Sequence, residues 1–183
     1  RFHAWCGRGE PDASAIDACR KLAPLLPSLS GERIAGELKR LLLAPDPASI
    51  IDLMHDVGAL APILPQLADV TRLRMLVLIE DDLGERDAVR RIAALSPARN
   101  DAARAVAERL KLSNAERDRL VILAEPPMNV GELADTAARR RALHRIGSAL
   151  FCDLVLLEWA ALTGEASRHR HLLAEAKAWK DIA

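Results

Sequence analysis

The sequence predicts an all-α protein, an irregular array of about ten short helices with no sheet. The chain of 183 residues contains 33 Ala and 30 Leu, and both residue types favour helix. Apolar residues recur with the 3.6-residue period of helices, and no segment alternates as a half-buried strand does. The best strand candidate, residues 75–79, fits the longer helical pattern around it better.

Capping residues divide the N-terminal third into three predicted helices. Asp12 is the predicted N-cap of a helix that runs to about Leu25. Ser30 opens the second helix, which carries an apolar stripe of Ile34, Leu38, Leu41 and Leu42. Asp46 is the third N-cap, with proline at the first helical position, and Gly58 ends that helix.

Seven further helices are predicted in the rest of the chain. Gly84 and Pro97 each end one helix, Ser113 and Glu116 form a capping box that begins another, and a proline pair breaks the chain at 126–127. The predicted ranges are 69–83, 86–95, 100–112, 113–124, 131–146, 148–162 and 165–182. A soft boundary near residues 62–65 divides the chain into predicted units 1–65 and 66–183.

Composition constrains the class of protein. Lys plus Arg and Asp plus Glu each number 26, and aromatic residues are 3%, which argues against a strongly basic domain or one that stacks bases. Cys6, Cys19 and Cys152 show no Cys-x-x-Cys spacing, which predicts reduced, mostly buried thiols and a cytoplasmic location. The longest apolar stretch, 149–162, is too short and too charged for a membrane span.

The sequence shows no clear catalytic or metal-binding motif. His169 and His171 would diverge on a helix, and the other histidines lack ligand spacing, so exposed or capping histidines and no metal site are predicted. The acidic run 80–82 falls at a helix end, which predicts a solvated face; a metal-dependent hydrolase using it is the weakest alternative. Cys19 and Cys152 are predicted core thiols.

Basic residues cluster on the helix predicted at 131–146. The cluster consists of Arg139, Arg140, Arg141 and Arg145, together with His144. Such a density of arginine can bind phosphates through bidentate contacts. The alternative is an ordinary solvated helix end, where cations also oppose the helix dipole favourably. A second basic group follows at residues 168–171.

Two segments of the N-terminal third carry a family signal. The first is Arg1-Phe2-His3-Ala4 within residues 1–12, and the second, within 29–42, has the pattern Ser-x-Glu-Arg-x-x-x-Glu-Leu-x-x-Leu-Leu from Ser30 onwards. In order and spacing they resemble the neck region of bacterial class II tRNA nucleotidyltransferases, the CCA-adding enzymes and related poly(A) polymerases. Residues 110–116 also resemble the body of these enzymes.

The resemblance implies a neck at 1–65 and a helical body at 66–183, without the catalytic head. The head's Gly-Ser motif and Asp-x-Asp pair, which bind Mg ions, are missing. We therefore expect a fragment that is inactive alone, with no catalytic residue and no cofactor of its own.

The resemblance also implies roles for particular residues and partners. Arg1, Glu32, Arg33 and Glu37 would form the neck motif beside the nucleotide, and the arginine cluster at 139–145 would hold tRNA. ATP or CTP would be met through the head, and the oligomeric state is open. The alternative is a stand-alone helical protein-interaction module, in which Arg33 and Glu37 form an i,i+4 ion pair worth a few tenths of a kcal/mol.

Overall fold

The computed structural model describes residues 2–7, 9, 11–65, 70–133, 135–161 and 166–180. Within these ranges it contains eleven α-helices, one 3₁₀-helix and no strand. The all-α prediction is confirmed.

The helices follow one another with short connections. The α-helices are α1 Phe2–Cys6, α2 Ala13–Leu22, α3 Gly31–Leu42, α4 Pro47–Asp56, α5 Val70–Leu83, α6 Ala88–Leu95, α7 Asn100–Arg109, α8 Asn114–Ala124, α9 Thr136–Ile146, α10 Ser148–Ala161 and α11 Ala166–Lys180, and the 3₁₀-helix is Ala23–Ser28.

The predicted caps are present. The side chains of Asp12, Ser30 and Asp46 each accept a hydrogen bond from a backbone N–H in the first turn of α2, α3 and α4. The capping box at Ser113 and Glu116 begins α8 with both reciprocal bonds in place. Each of these helix starts was predictable because the signal lies within four residues of sequence.

Three predicted helix boundaries were displaced by three residues or more, each for a local reason. The first predicted helix stops at Leu22, and the chain tightens into the 3₁₀-helix, where Pro24 has no N–H for an α-helical bond. The helix predicted at 100–112 ends at Arg109, with Lys111 in the left-handed region at φ 50°. The helix predicted from residue 131 begins at Thr136, because Asp135 caps it.

One hydrophobic cluster joins α3 to α11. Helix α10 lies in its middle, packs against α5, α8, α9 and α11 and buries most of its length, as expected for a helix that is apolar all round. The cluster contains residues on both sides of residue 65, from Ile34 to Ala176. The division into 1–65 and 66–183 stays a prediction.

A buried ionic network around Glu80, called here the Glu80 network, corrects the expectation of a solvated acidic run at that residue, whereas Asp81 and Asp82 are exposed as predicted. Glu80 is 0% exposed, and its carboxylate accepts from Arg90 Nε at 2.6 Å and Arg91 Nε at 2.5 Å. Arg91, also fully buried, donates to the backbone carbonyls of Leu42 and Ala44 at the end of α3. The network therefore ties the N-terminal third to α5 and α6.

The same network continues to α8 and α10. Asp153 accepts from Arg90 Nη1 at 2.9 Å and from Arg119 Nε at 2.8 Å. Arg119 also reaches Asp87, the N-cap of α6, at 2.9 Å. Burial alone would raise the pKa of Asp87, but the Arg90 backbone N–H and the Arg119 guanidinium outweigh it and hold that pKa below its ordinary value.

The expectation of core thiols was wrong for Cys19, and the expectation of exposed or capping histidines was wrong for His169. Cys6 and Cys19 are exposed, and Cys152 is half-buried, where burial raises the pKa of its thiol. His169 is buried and stacks on Trp159, with ring centroids 5.6 Å apart. His169 is buried because Trp159, on another helix, stacks on its ring. Cys6 and Cys19 are exposed because they lie on helix faces that no described neighbour covers.

The described residues contain neither a group of metal-binding side chains nor a membrane-spanning helix. Within them, no three His, Cys, Asp or Glu side chains come together in a group that could hold a metal ion. No helix among them is long and apolar enough to cross a membrane. The cytoplasmic location stays a prediction.

Two glycines of α3 provide a matched test of its packing. A Cβ on Gly31 would overlap the Arg109 carbonyl oxygen, whereas a Cβ on Gly36 meets nothing within 4 Å. We expect Gly31→Ala to lower the free energy of unfolding by about 1–3 kcal/mol. Gly36→Ala is expected to raise it by up to about 1 kcal/mol, since alanine favours helix. Urea unfolding measures both, and equal effects of the two substitutions would contradict the close contact between Gly31 and the end of α7.

Candidate nucleic-acid interface

Three of the predicted RNA-binding arginines share the exposed face of α9. Arg140, Arg141 and Arg145 are all solvent-accessible, as is His144 between them. At 100° per residue these four side chains fall within about 140° of arc around the helix. We call this surface the α9 basic face.

The charges of the α9 basic face are largely uncompensated. The guanidinium groups of Arg140 and Arg145 form no hydrogen bond or ion pair with the described residues, and Arg141 approaches Asp135 only at 3.9 Å. The last turn also lies at the negative end of the helix dipole, which favours cations there. Accessible guanidinium groups on one face are suited to bind successive phosphates.

Arg139 points away from this face. Its Nε donates to Glu175 on α11 at 2.6 Å, and its other nitrogens donate to the Leu133 carbonyl and the Thr136 hydroxyl. Because the side chain is mostly buried, it joins α9 to α11. The structure thus brings together three of the four predicted arginines and separates the fourth.

The second basic group, at 168–171, is mostly engaged within the fold. Arg168 donates to the Gly131 carbonyl, and His169 is buried against Trp159. Arg170 pairs with Asp82 at 2.6 Å and lies over the Trp159 ring. These contacts hold α11 in place and leave little free positive charge there.

The neck-motif residues of α3 lie near its surface. Glu32, in the first turn, is exposed, and the side chains of Arg33 and Glu37 lie one turn apart and border the same apolar groove. Glu37 is 3.4 Å from Arg40. Arg1 lies outside the described residues.

The groove that Arg33 and Glu37 border was not revealed by the sequence. It has a volume of about 400 Å³ and lies between α2, the 3₁₀-helix, α3, Met54 of α4 and residues 59–64. We call it the α3 groove. Its apolar lining consists of Leu22, Leu26, Leu29, Ile34, Leu38, Leu41, Met54, Leu60, Ile63 and Leu64, with smaller residues between them. The sequence contained only a partial signal, the leucines at 22, 26 and 29 that line one side of the groove, and the neighbouring prolines obscure it.

Residues 10–71 match the family model described as the probable RNA and SrmB-binding site of polymerase A. The match includes α2, the 3₁₀-helix, α3 and α4, and therefore the whole α3 groove. No curated protein matches the chain. The chain thus contains an RNA-binding region of the poly(A) polymerase type in its N-terminal third.

Proposed function

We propose that this chain is the RNA-binding helical portion of a tRNA nucleotidyltransferase, an enzyme that adds CCA or A alone to tRNA 3′ ends. Its part is to position tRNA and the incoming ATP or CTP. The catalytic carboxylates and their Mg²⁺ ions would belong to a separate head. The observation that carries the proposal is the match of residues 10–71 to an RNA-binding site of polymerase A.

The α9 basic face supports the proposal with a second, independent feature. It lies outside residues 10–71, so a bound RNA would contact the chain at two places. Three arginines on one helix face suit the sugar-phosphate backbone, which dominates the affinity of proteins for folded RNA. The net charge of zero implies that binding by this chain alone is weak and sensitive to salt.

A gel-shift titration of the 183-residue chain with tRNA tests the proposal. We expect retardation at low salt that weakens as salt rises, because binding through phosphates releases counterions. A parallel assay with labelled ATP and CTP should show no nucleotide addition. An absence of retardation at high protein concentration in low salt, or CCA addition by this chain, would contradict the proposal.

The α3 groove favours a second candidate, a helical protein-interaction module. Apart from Cys19, Arg33 and Glu37 the lining of the groove is apolar, and this chemistry is typical of a protein contact. The description of the matching model also names SrmB beside RNA. A chain that fails to retard tRNA at low salt would leave this candidate standing.

A further inference from the structure

The surface beside the α3 groove concentrates exposed apolar side chains. Six large hydrophobic residues of the described chain are exposed, and three of them, Leu22, Leu25 and Leu29, lie on the short segment 22–29. Leu25 is 62% exposed. A groove rimmed by exposed leucines is the type of patch that marks a protein interface.

This patch offers a ridge as well as a groove. Segment 23–28 is a 3₁₀-helix, in which side chains three apart eclipse each other, so Leu22 and Leu25 lie on one side of it and Leu26 and Leu29 on another. Leu22 and Leu25 are both more than half exposed, and Leu22, Leu26 and Leu29 also line the groove. An isologous dimer uses the same patch on both copies and therefore needs both shapes in one place.

The charges beside the groove are also self-complementary. Arg33 and Glu37 lie one turn apart on α3 and both border the groove. The Arg33 guanidinium forms no hydrogen bond or ion pair with the described residues. When two α3 helices meet antiparallel across a two-fold axis, Arg33 of one copy meets Glu37 of the other, so the patch attracts its own copy.

We propose that the α3 groove is the interface of a homodimer, in which the Leu22–Leu25 ridge of one copy enters the groove of the second copy. The interface does not involve the α9 basic face, but it lies within residues 10–71; the dimer is therefore measured without RNA, and its test does not depend on RNA binding. Since its apolar centre consists of a few leucines, we expect a dissociation constant in the micromolar range.

Sedimentation equilibrium of the 183-residue chain over about 1–500 μM tests the dimer. We expect a concentration-dependent monomer–dimer equilibrium, and Leu25→Glu should weaken it at least about tenfold. Leu78→Glu is the matched control, because Leu78 is also 62% exposed but lies on α5, away from the groove. Circular dichroism checks that both variants keep their helix content.

A charge exchange tests the orientation of the two copies. Arg33→Glu should weaken the dimer, because two acidic side chains would then face each other across the two-fold axis, and adding Glu37→Arg should restore it. A wild-type chain that stays monomeric throughout this range overturns the proposal. Equal weakening by Leu25→Glu and Leu78→Glu, or no restoration by the double exchange, also overturns it.

Discussion

Replacing Glu80 with alanine is expected to lower the free energy of unfolding by about 3–5 kcal/mol. The carboxylate lies between Arg90 and Arg91 at 2.6 and 2.5 Å and is fully buried. Its removal would leave two buried guanidinium groups short of a counter-charge in a site with no access to water. The cost is therefore that of an unpaired buried charge rather than of one lost hydrogen bond.

Glu85→Ala is the control for this prediction. Glu85 pairs with Lys177 at 2.6 Å, but both side chains are substantially exposed. The expected loss is below about 1 kcal/mol, since water screens an exposed pair. Urea unfolding of both variants measures the difference. A Glu80→Ala variant as stable as Glu85→Ala would show that the Glu80 network does not hold α3, α5 and α6 together.

Reversing the three accessible arginines of α9, by Arg140→Glu, Arg141→Glu and Arg145→Glu together, is expected to weaken tRNA binding at least about tenfold. The change replaces three phosphate-binding cations with anions on one face. Because the three side chains reach solvent and form at most one distant ion pair, the fold should remain intact. Fluorescence anisotropy with labelled tRNA at fixed low salt measures the effect.

The control variant reverses three exposed or half-exposed arginines of α7 and α8. These are Arg99, which precedes α7, Arg104 in the middle of α7, and Arg117 on α8. This variant has the same net charge as the α9 variant. It therefore separates a local phosphate site from bulk attraction between protein and RNA. Equal weakening by the two variants would contradict a specific role for the α9 basic face.

The helices and their caps could be predicted from sequence because their signals are local. Asp12, Ser30 and the Ser113–Glu116 box each act within one turn of chain, and helix propensity covers nearly every segment. The Glu80 network could not be predicted in the same way. Glu80 meets Arg90 and Arg91 only when α5 packs against α6, although two arginines inside the apolar run 88–95 were a visible signal.

The candidate site shows the same division between local and distant information. The shared arc of Arg140, Arg141 and Arg145 follows from helical spacing alone. The inward turn of Arg139 depends on Glu175, which lies 36 residues away. The α3 groove depends on five segments of the chain packing around one space, and no periodicity within a single segment specifies that arrangement.

The salt dependence of tRNA binding tests the central proposal most directly. For the wild-type chain, the logarithm of the association constant should fall linearly with the logarithm of salt concentration. For Arg140→Ala with Arg145→Ala, the slope should be shallower by about one for each phosphate contact removed. A wild-type affinity that does not change with salt, or an identical slope in the double variant, would contradict RNA binding through the α9 basic face.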